Sequence, residues 1–237
     1  MKRATQHPKA GPGRKRRPAK TEDSGSPAAD GGALSKSVPP VKFLSDADPV
    51  LAAIIDRVGP YKIEYREPTF HNLVRSIVYQ QLNGRAAQTI FGRLAAAAKD
   101  DPLTPESILR LRPARMRTLG LSKQKLTYIR ELARLTKSGE VSFELVPTLE
   151  DTRVIEHLTK VKGIGVWTAH MFLIFALRRP DILPTGDFGV RAAMKKAYNL
   201  PEMPKPEEME RIAAAWRPFS SVAAWYLWRS LDVKGAE

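Results

Sequence analysis

The chain has 237 residues, 43% of them hydrophobic, enough for the core of one sizeable domain or of two small lobes sharing a cleft. It has no cysteine, which excludes disulfides, thiol nucleophiles, cysteine-ligated zinc and iron–sulfur clusters. The formal charge is +14, and discounting residues 1–40 (nine Lys/Arg against three Asp/Glu) leaves the remainder at +8, which points to a polyanionic partner, with mere solubility as the plainer reading.

The four histidines, His7, His71, His157 and His170, fall in no metal-ligand spacing. That argues against a metal-dependent catalyst, with a carboxylate-only magnesium site left open. No apolar run approaches the roughly 20 residues that cross a bilayer. The basic, polar N-terminus lacks the apolar stretch of a secretory signal. The expectation is a soluble intracellular protein, cytoplasmic or nucleoid-associated (nuclear in a eukaryote), with no membrane partner.

Residues 1 to about 40 are rich in Pro, Gly, Ala, Lys and Arg and poor in large apolar groups, so they are expected to be a disordered basic tail. The folded domain is expected over 41–237 and is helical almost throughout. Asp48-Pro49 reads as an N-cap and first-turn proline, with the helix ending near Val58-Gly59. The short alternation over Tyr61–Glu67 is too brief to predict a strand. Thr69 opens a helix through Gln81, with Phe70, Leu73, Val74, Ile77 and Val78 at helical spacing.

Asn83 caps the next helix, Gly84 to Ala98, and Thr104-Pro105 starts a short one. Another follows Pro113 and stops at Gly120, and Ser122 caps a long helix to about Lys137. Thr148 to Asp151 has the spacing of a capping box. Further helices are expected over 166 to 177, 188–199, 206–216 and 218–231. About ten helices and no significant sheet result, an all-α fold.

The most informative stretch lies between two helical patterns, Leu158-Thr159-Lys160-Val161-Lys162-Gly163-Ile164-Gly165-Val166-Trp167-Thr168-Ala169. Gly163 and Gly165 permit a tight turn with positive φ and close approach of another backbone. The turn feeds a helix N-terminus, where unpaired amides and the dipole favour an anion, and Lys160 and Lys162 stand beside it. An ordinary helix–helix turn would look the same, so the pattern alone leaves both readings open.

In Leu183-Pro184-Thr185-Gly186-Asp187-Phe188-Gly189-Val190-Arg191 a Pro/Gly-rich loop ends in Asp187, twenty residues after Trp167. Together the two stretches resemble the helix-hairpin-helix (HhH-GPD) base-excision DNA glycosylases. Ile77–Ala87, with Gln80-Gln81-Leu82-Asn83-Gly84, and Ser221–Arg229, with Trp225 and Trp228, are similar to its DNA-3-methyladenine glycosylase II branch. The resemblance covers about residues 45 to 232. It implies two helical lobes, with the helix-hairpin-helix flanking a central DNA-binding active-site cleft.

The resemblance also implies an activity, release of alkylated purines of the 3-methyladenine and 7-methylguanine type from damaged double-stranded DNA by base flipping, leaving an abasic site. Asp187 matches the catalytic carboxylate, and N-capping of the following helix is its local reading. Where bifunctional branches carry a Schiff-base lysine, this chain has Trp167, so a monofunctional enzyme is expected. Trp167, Trp228 and Phe70 are expected in the base pocket, with Trp225 and Tyr226 weaker candidates and one of Trp225 and Trp228 open to a core role. Leu82 matches the wedge that fills the vacated stack, with a core leucine as its alternative.

DNA contacts are implied for Gln81, Leu82, Lys162, Gly163, Gly165 and Thr168. The carbonyls of Thr159, Val161 and Ile164 are implied to hold a monovalent cation, sodium or potassium. No other cofactor is expected, and the family's habit implies a monomer. A non-catalytic hairpin module, or a glycosylase for oxidised or mismatched bases, stays open on the sequence.

Overall fold

The structure, a computed structural model, describes residues 39–233. The tail expected over residues 1–40 lies outside that range apart from Pro39 and Pro40, and Pro40 already opens a helix. Among the described residues there are twelve α-helices, two short 3-10 turns and no strand. None of these helices is long and apolar enough to cross a membrane.

The chain begins with α1 (Pro40–Ala47) and α2 (Pro49–Val58). It then builds α3 (Phe70–Tyr79), α4 (Gly84–Ala98), α5 (Pro105–Arg110), α6 (Pro113–Thr118) and α7 (Lys123–Lys137). A 3-10 turn at Val146–Thr148 leads to α8 (Asp151–Thr159) and α9 (Val166–Phe175). The last three helices are α10 (Phe188–Ala197), α11 (Pro206–Ala213) and α12 (Ser220–Asp232), with a second 3-10 turn at Ala214–Trp216.

Two hydrophobic cores make two lobes. Residues of α3 to α9, among them Leu73, Ile77, Leu94, Ile129 and Leu158, form the larger. Leu44, Leu51, Met194, Trp216 and Tyr226, from the two ends of the chain, form the smaller. Ile63 and Trp228 pack against both. The chain crosses the boundary twice, over residues 59–69 and near Ile182-Leu183, and the second crossing delivers Asp187.

Local chemistry explains most of the helix ends. The Asp48 carboxylate accepts the amides of Val50 and Leu51, and Thr69, Asn83, Thr104 and Ser122 each accept an amide of the helix they precede. Asp48 also accepts from Tyr198 Oη and from Trp216 Nε1 at 2.8 Å, which ties the smaller lobe together through one buried carboxylate.

Two expectations about local structure change. Thr148 does not cap α8: its hydroxyl donates back to the carbonyl of Leu145, and Glu150 takes the N-cap position without a side-chain bond. The Ser/Thr–acid spacing is present, but the 3-10 turn at Val146–Thr148 uses the threonine first. α1 was also not singled out, because its start falls where the compositional tail ends.

Candidate active site

Asp187 is 8% exposed and stands at the N-cap of α10, at the end of a tight turn in which its amide donates to Pro184 O. Its carboxylate receives three N–H donors. Oδ1 accepts from Val190 N at 2.8 Å and from Trp228 Nε1 at 2.8 Å, and Oδ2 accepts from Trp167 Nε1 at 2.7 Å. The cap and the site therefore use the same carboxylate. The three bonds fix the orientation of the carboxylate, and a carboxylate held in place can stabilise a cationic transition state.

Gly189 makes the approach of Trp228 feasible. A Cβ at that position would stand 3.0 Å from Trp228 Cδ1 and 3.2 Å from Asp187 Oδ1. Trp228 also stacks on Phe175, with centroids 5.7 Å apart. Trp167 is 47% exposed although its indole nitrogen is bonded. An exposed indole held at one edge presents a face for a flat ligand.

The hairpin joins α8 to α9. Gly163 has φ +89°, and a Cβ there would lie 2.0 Å from the ring of Tyr128. The glycine is required both by its backbone and by the ring packed on it. Gly165 differs from expectation: its φ of −92° is extended, and nothing lies within 4 Å of where its Cβ would be. It caps α9 without a side-chain bond, so the leading amides of that helix are left to an incoming anion. Lys160 and Lys162 are exposed beside it.

Gln80, quoted above only as part of a motif, and Lys125, which the sequence did not flag, lock this hairpin to the end of α3. Gln80 Nε2 donates to Gly163 O at 3.1 Å and approaches Thr168 Oγ1 at 3.4 Å. Lys125 Nζ donates at 2.6 Å to the carbonyls of both Val78 and Gln80, at the electronegative end of α3. Burial pulls the Lys125 ammonium below its usual range. The turn it holds carries Gln81 at φ +56° and leaves Leu82 40% exposed, so Leu82 is not a core leucine.

Four candidate site residues are buried. Phe70 is 6% exposed and packs edge-on against Phe143 in the larger core, because its position on α3 faces inward with Leu73, Val74 and Ile77. Thr168 is buried, its hydroxyl turned to Gln80 and not to the surface. Of the weaker pair, Tyr226 is fully buried and donates to Gly59 O at 3.1 Å, while Trp225 packs edge-on against Tyr61. Phe188, beside Asp187, is 75% exposed, and only its position next to the aspartate could have drawn notice.

Two cavities adjoin in the cleft. The front one, about 640 Å³, is lined among others by Gln80, Gln81, Lys125, Gly163 and Trp167. The rear one, about 660 Å³, is lined among others by Asn72, Phe172, Phe175 and Trp225. Asp187 lines neither, but its partner Trp167 lines the front cavity and Phe175, stacked on its partner Trp228, lines the rear. The two indoles that donate to the carboxylate are therefore its links to the cavities. No cluster of three metal-ligating side chains occurs among the described residues.

Backbone oxygens at the hairpin offer a different donor set. Val161 and Ile164 turn their side chains into the core, and the Val161 carbonyl accepts Ile164 N at 3.0 Å with one of its two lone pairs.

The family model described as HhH-GPD superfamily base excision DNA repair protein matches residues 74–218. DNA-3-methyladenine glycosylase 1 of Schizosaccharomyces pombe is 34% identical over 198 residues, 79% of this chain and 84% of that protein. The structure of the S. pombe 3-methyladenine DNA glycosylase Mag1 in complex with abasic DNA superposes with a TM-score of 0.70 at 33% identity, covering 80% of this chain and 94% of that one. A DNA-3-methyladenine glycosidase structure from Bacillus halodurans gives 0.73 at 36% identity, covering 82% and 89%.

Proposed function

Because this chain belongs to the HhH-GPD superfamily of base excision DNA repair proteins, we propose that it is a monofunctional glycosylase that releases alkylated purines from double-stranded DNA. The observation that carries this reading is the buried Asp187 carboxylate bonded to two indoles, one of them opening the second hairpin helix. The relatives from S. pombe and B. halodurans reported above are 3-methyladenine glycosylases or glycosidases by name, which supports the substrate class.

The hairpin amides at the start of α9 take a phosphate, and Leu82 fills the gap left by the flipped nucleotide. The base enters the front cavity against Trp167, whose ring attracts a cationic purine by about 0.5–2 kcal/mol. As the C1′–N9 bond breaks, its electron pair leaves with the base and positive charge builds on the sugar. Asp187 stabilises that charge. Water adds to C1′ and passes its proton through the carboxylate to solvent, leaving an abasic site.

Trp167 stands where a Schiff-base amine would be, and Lys125, which lines the front cavity, is occupied by two carbonyls. Strand cleavage is therefore outside this reading. The carbonyls of Thr159, Val161 and Ile164 would hold a monovalent cation, whose contribution is to draw the DNA phosphate to the hairpin. The reading includes action as a monomer, the habit of the family, on DNA inside the cell.

The test is base release from methylated duplex DNA by the wild type and Asp187→Asn, with a separate alkali step. Free methylpurine from the wild type alone, with strand breaks only after alkali, is the expected result. Undiminished release by Asp187→Asn, or breaks without alkali, would overturn it. Tight binding without any release would leave a hairpin module that does not catalyse.

A further inference from the structure

The larger core holds α3 through Leu73, Val74, Ile77 and Val78, all fully buried. The residues that follow, Gln80 to Gly84, belong to neither core. Backbone bonds within this turn are long, Gln80 N to Ser76 O at 3.2 Å and Leu82 N to Tyr79 O at 3.3 Å. Gln81 stands in the left-handed region at φ +56°, where a residue with a Cβ is disfavoured. Such a turn keeps its shape only if it is held from outside.

Two side chains supply the hold. Lys125 Nζ donates to the carbonyls of Val78 and Gln80, which the end of α3 leaves without helical partners. The ammonium forms no ion pair among the described residues, so these carbonyls are what it serves. Gln80 Nε2 donates to Gly163 O, on the hairpin residue against which the Tyr128 ring packs. Tyr128 follows Lys125 by three residues of α7, on the same face. Thus α7 grips the turn with one side chain and the hairpin with the next, and Gln80 bridges turn and hairpin directly.

This bridge fixes a relation that the cores leave open. The hairpin is anchored by buried Val161 and Ile164, and α3 by its apolar face. Leu82, two residues beyond Gln80, is separated by at most about 7 Å of chain from a residue bonded to the hairpin. We infer that Gln80 and Lys125 are positioning residues that join hairpin and wedge into one rigid clamp, so that gripping the phosphate also sets Leu82 in the stack. A wedge held in place beforehand loses less freedom on entering DNA than one ordered only there. Without the bridge the hairpin still takes its phosphate, and Leu82 fills the stack in only a fraction of the complexes.

The inference rests on Leu82 acting as the wedge of the proposed glycosylase, and the test separates the two. The probe is a duplex with a stable abasic analogue beside 2-aminopurine, a base whose fluorescence rises when it is unstacked. The full chain is used as wild type, Gln80→Met, Lys125→Met and Leu82→Ala, each at saturating concentration. The amplitude at saturation does not depend on affinity, and excess protein removes the effect of an unfolded fraction. Leu82→Ala sets the floor. Gln80→Met, which leaves both Lys125 bonds in place, and Lys125→Met are expected to lie closer to that floor than to the wild type.

A second measurement is release of methylpurine from duplex DNA. Gln80→Met should slow it about fivefold, as for loss of one hydrogen bond. Added to Leu82→Ala, the same substitution should cost no more than about twofold, because the side chain it positions is gone. A wild-type amplitude in Gln80→Met, or a loss undiminished in the Leu82→Ala background, overturns the inference. So does a wild type that does not rise above the Leu82→Ala floor. A wild type that unstacks the probe and releases no base overturns the glycosylase reading alone.

Discussion

Trp167 Nε1 lies 2.7 Å from Asp187 Oδ2, twenty residues away in the chain, while 47% of the tryptophan faces solvent. One edge of the indole orients the carboxylate and the remainder is free to meet a base. Trp167→Phe keeps a ring and removes the donor, so Asp187 Oδ2 loses its bonded partner. Single-turnover base release should fall about tenfold, in line with loss of a hydrogen bond to a charged group near solvent. Affinity for abasic DNA, measured by fluorescence anisotropy, should stay within a few-fold of wild type. Equal losses in both would assign Trp167 to DNA binding alone.

The two hairpin glycines should behave differently. Gly163→Ala meets the Tyr128 ring and a positive φ, so it should lower the melting temperature by several degrees, from a cost of about 1–3 kcal/mol. Gly165→Ala meets open space at an extended φ and should melt within a degree or two of wild type. Its methyl group points where the DNA backbone is expected, so affinity for duplex DNA should fall nonetheless. Parallel melting and binding measurements decide it.

Leu82 has no place in either core, so Leu82→Ala should leave stability within about 0.5 kcal/mol. The same substitution should slow release from a duplex by about tenfold or more, and slow release from a single strand much less, because only the duplex has a stack to refill. A duplex rate equal to wild type would remove the wedge role.

His157 Nε2 accepts the amide of Ser142 at 2.9 Å, which requires that nitrogen to be unprotonated. Burial, then the charge of Lys160, lowers its pKa from the ordinary 6.5. With the folded-state pKa below the unfolded one, the stability it contributes is complete above about pH 6.5 and is lost as the pH falls below that value. His170, lowered by burial alone, acts in the same direction. The melting temperature should therefore decline between pH 6.5 and 5, and less steeply in His157→Gln, whose amide oxygen can still accept from Ser142 and does not titrate.

The sequence was sufficient wherever the physics is local. N-caps at Asp48, Thr69, Asn83, Thr104, Ser122 and Asp187 set the starts of six helices, because each side-chain oxygen needs only amides two or three residues ahead. The apolar spacing of α3 marked its buried face, and by that reasoning alone Phe70 belonged to the core. The hairpin and the aspartate loop were recognisable because their glycines, prolines and spacing are contiguous.

Only the tertiary structure could show which long side chains meet. Asp187 joins Trp167 and Trp228 across two lobes; Lys125 caps a helix that ended before it, at Tyr79; Gly163 is pinned by Tyr128. None of these pairs shares a helix or a turn, so no periodicity encodes them. Their geometry follows from how two cores close against each other, and that depends on every packed residue at once.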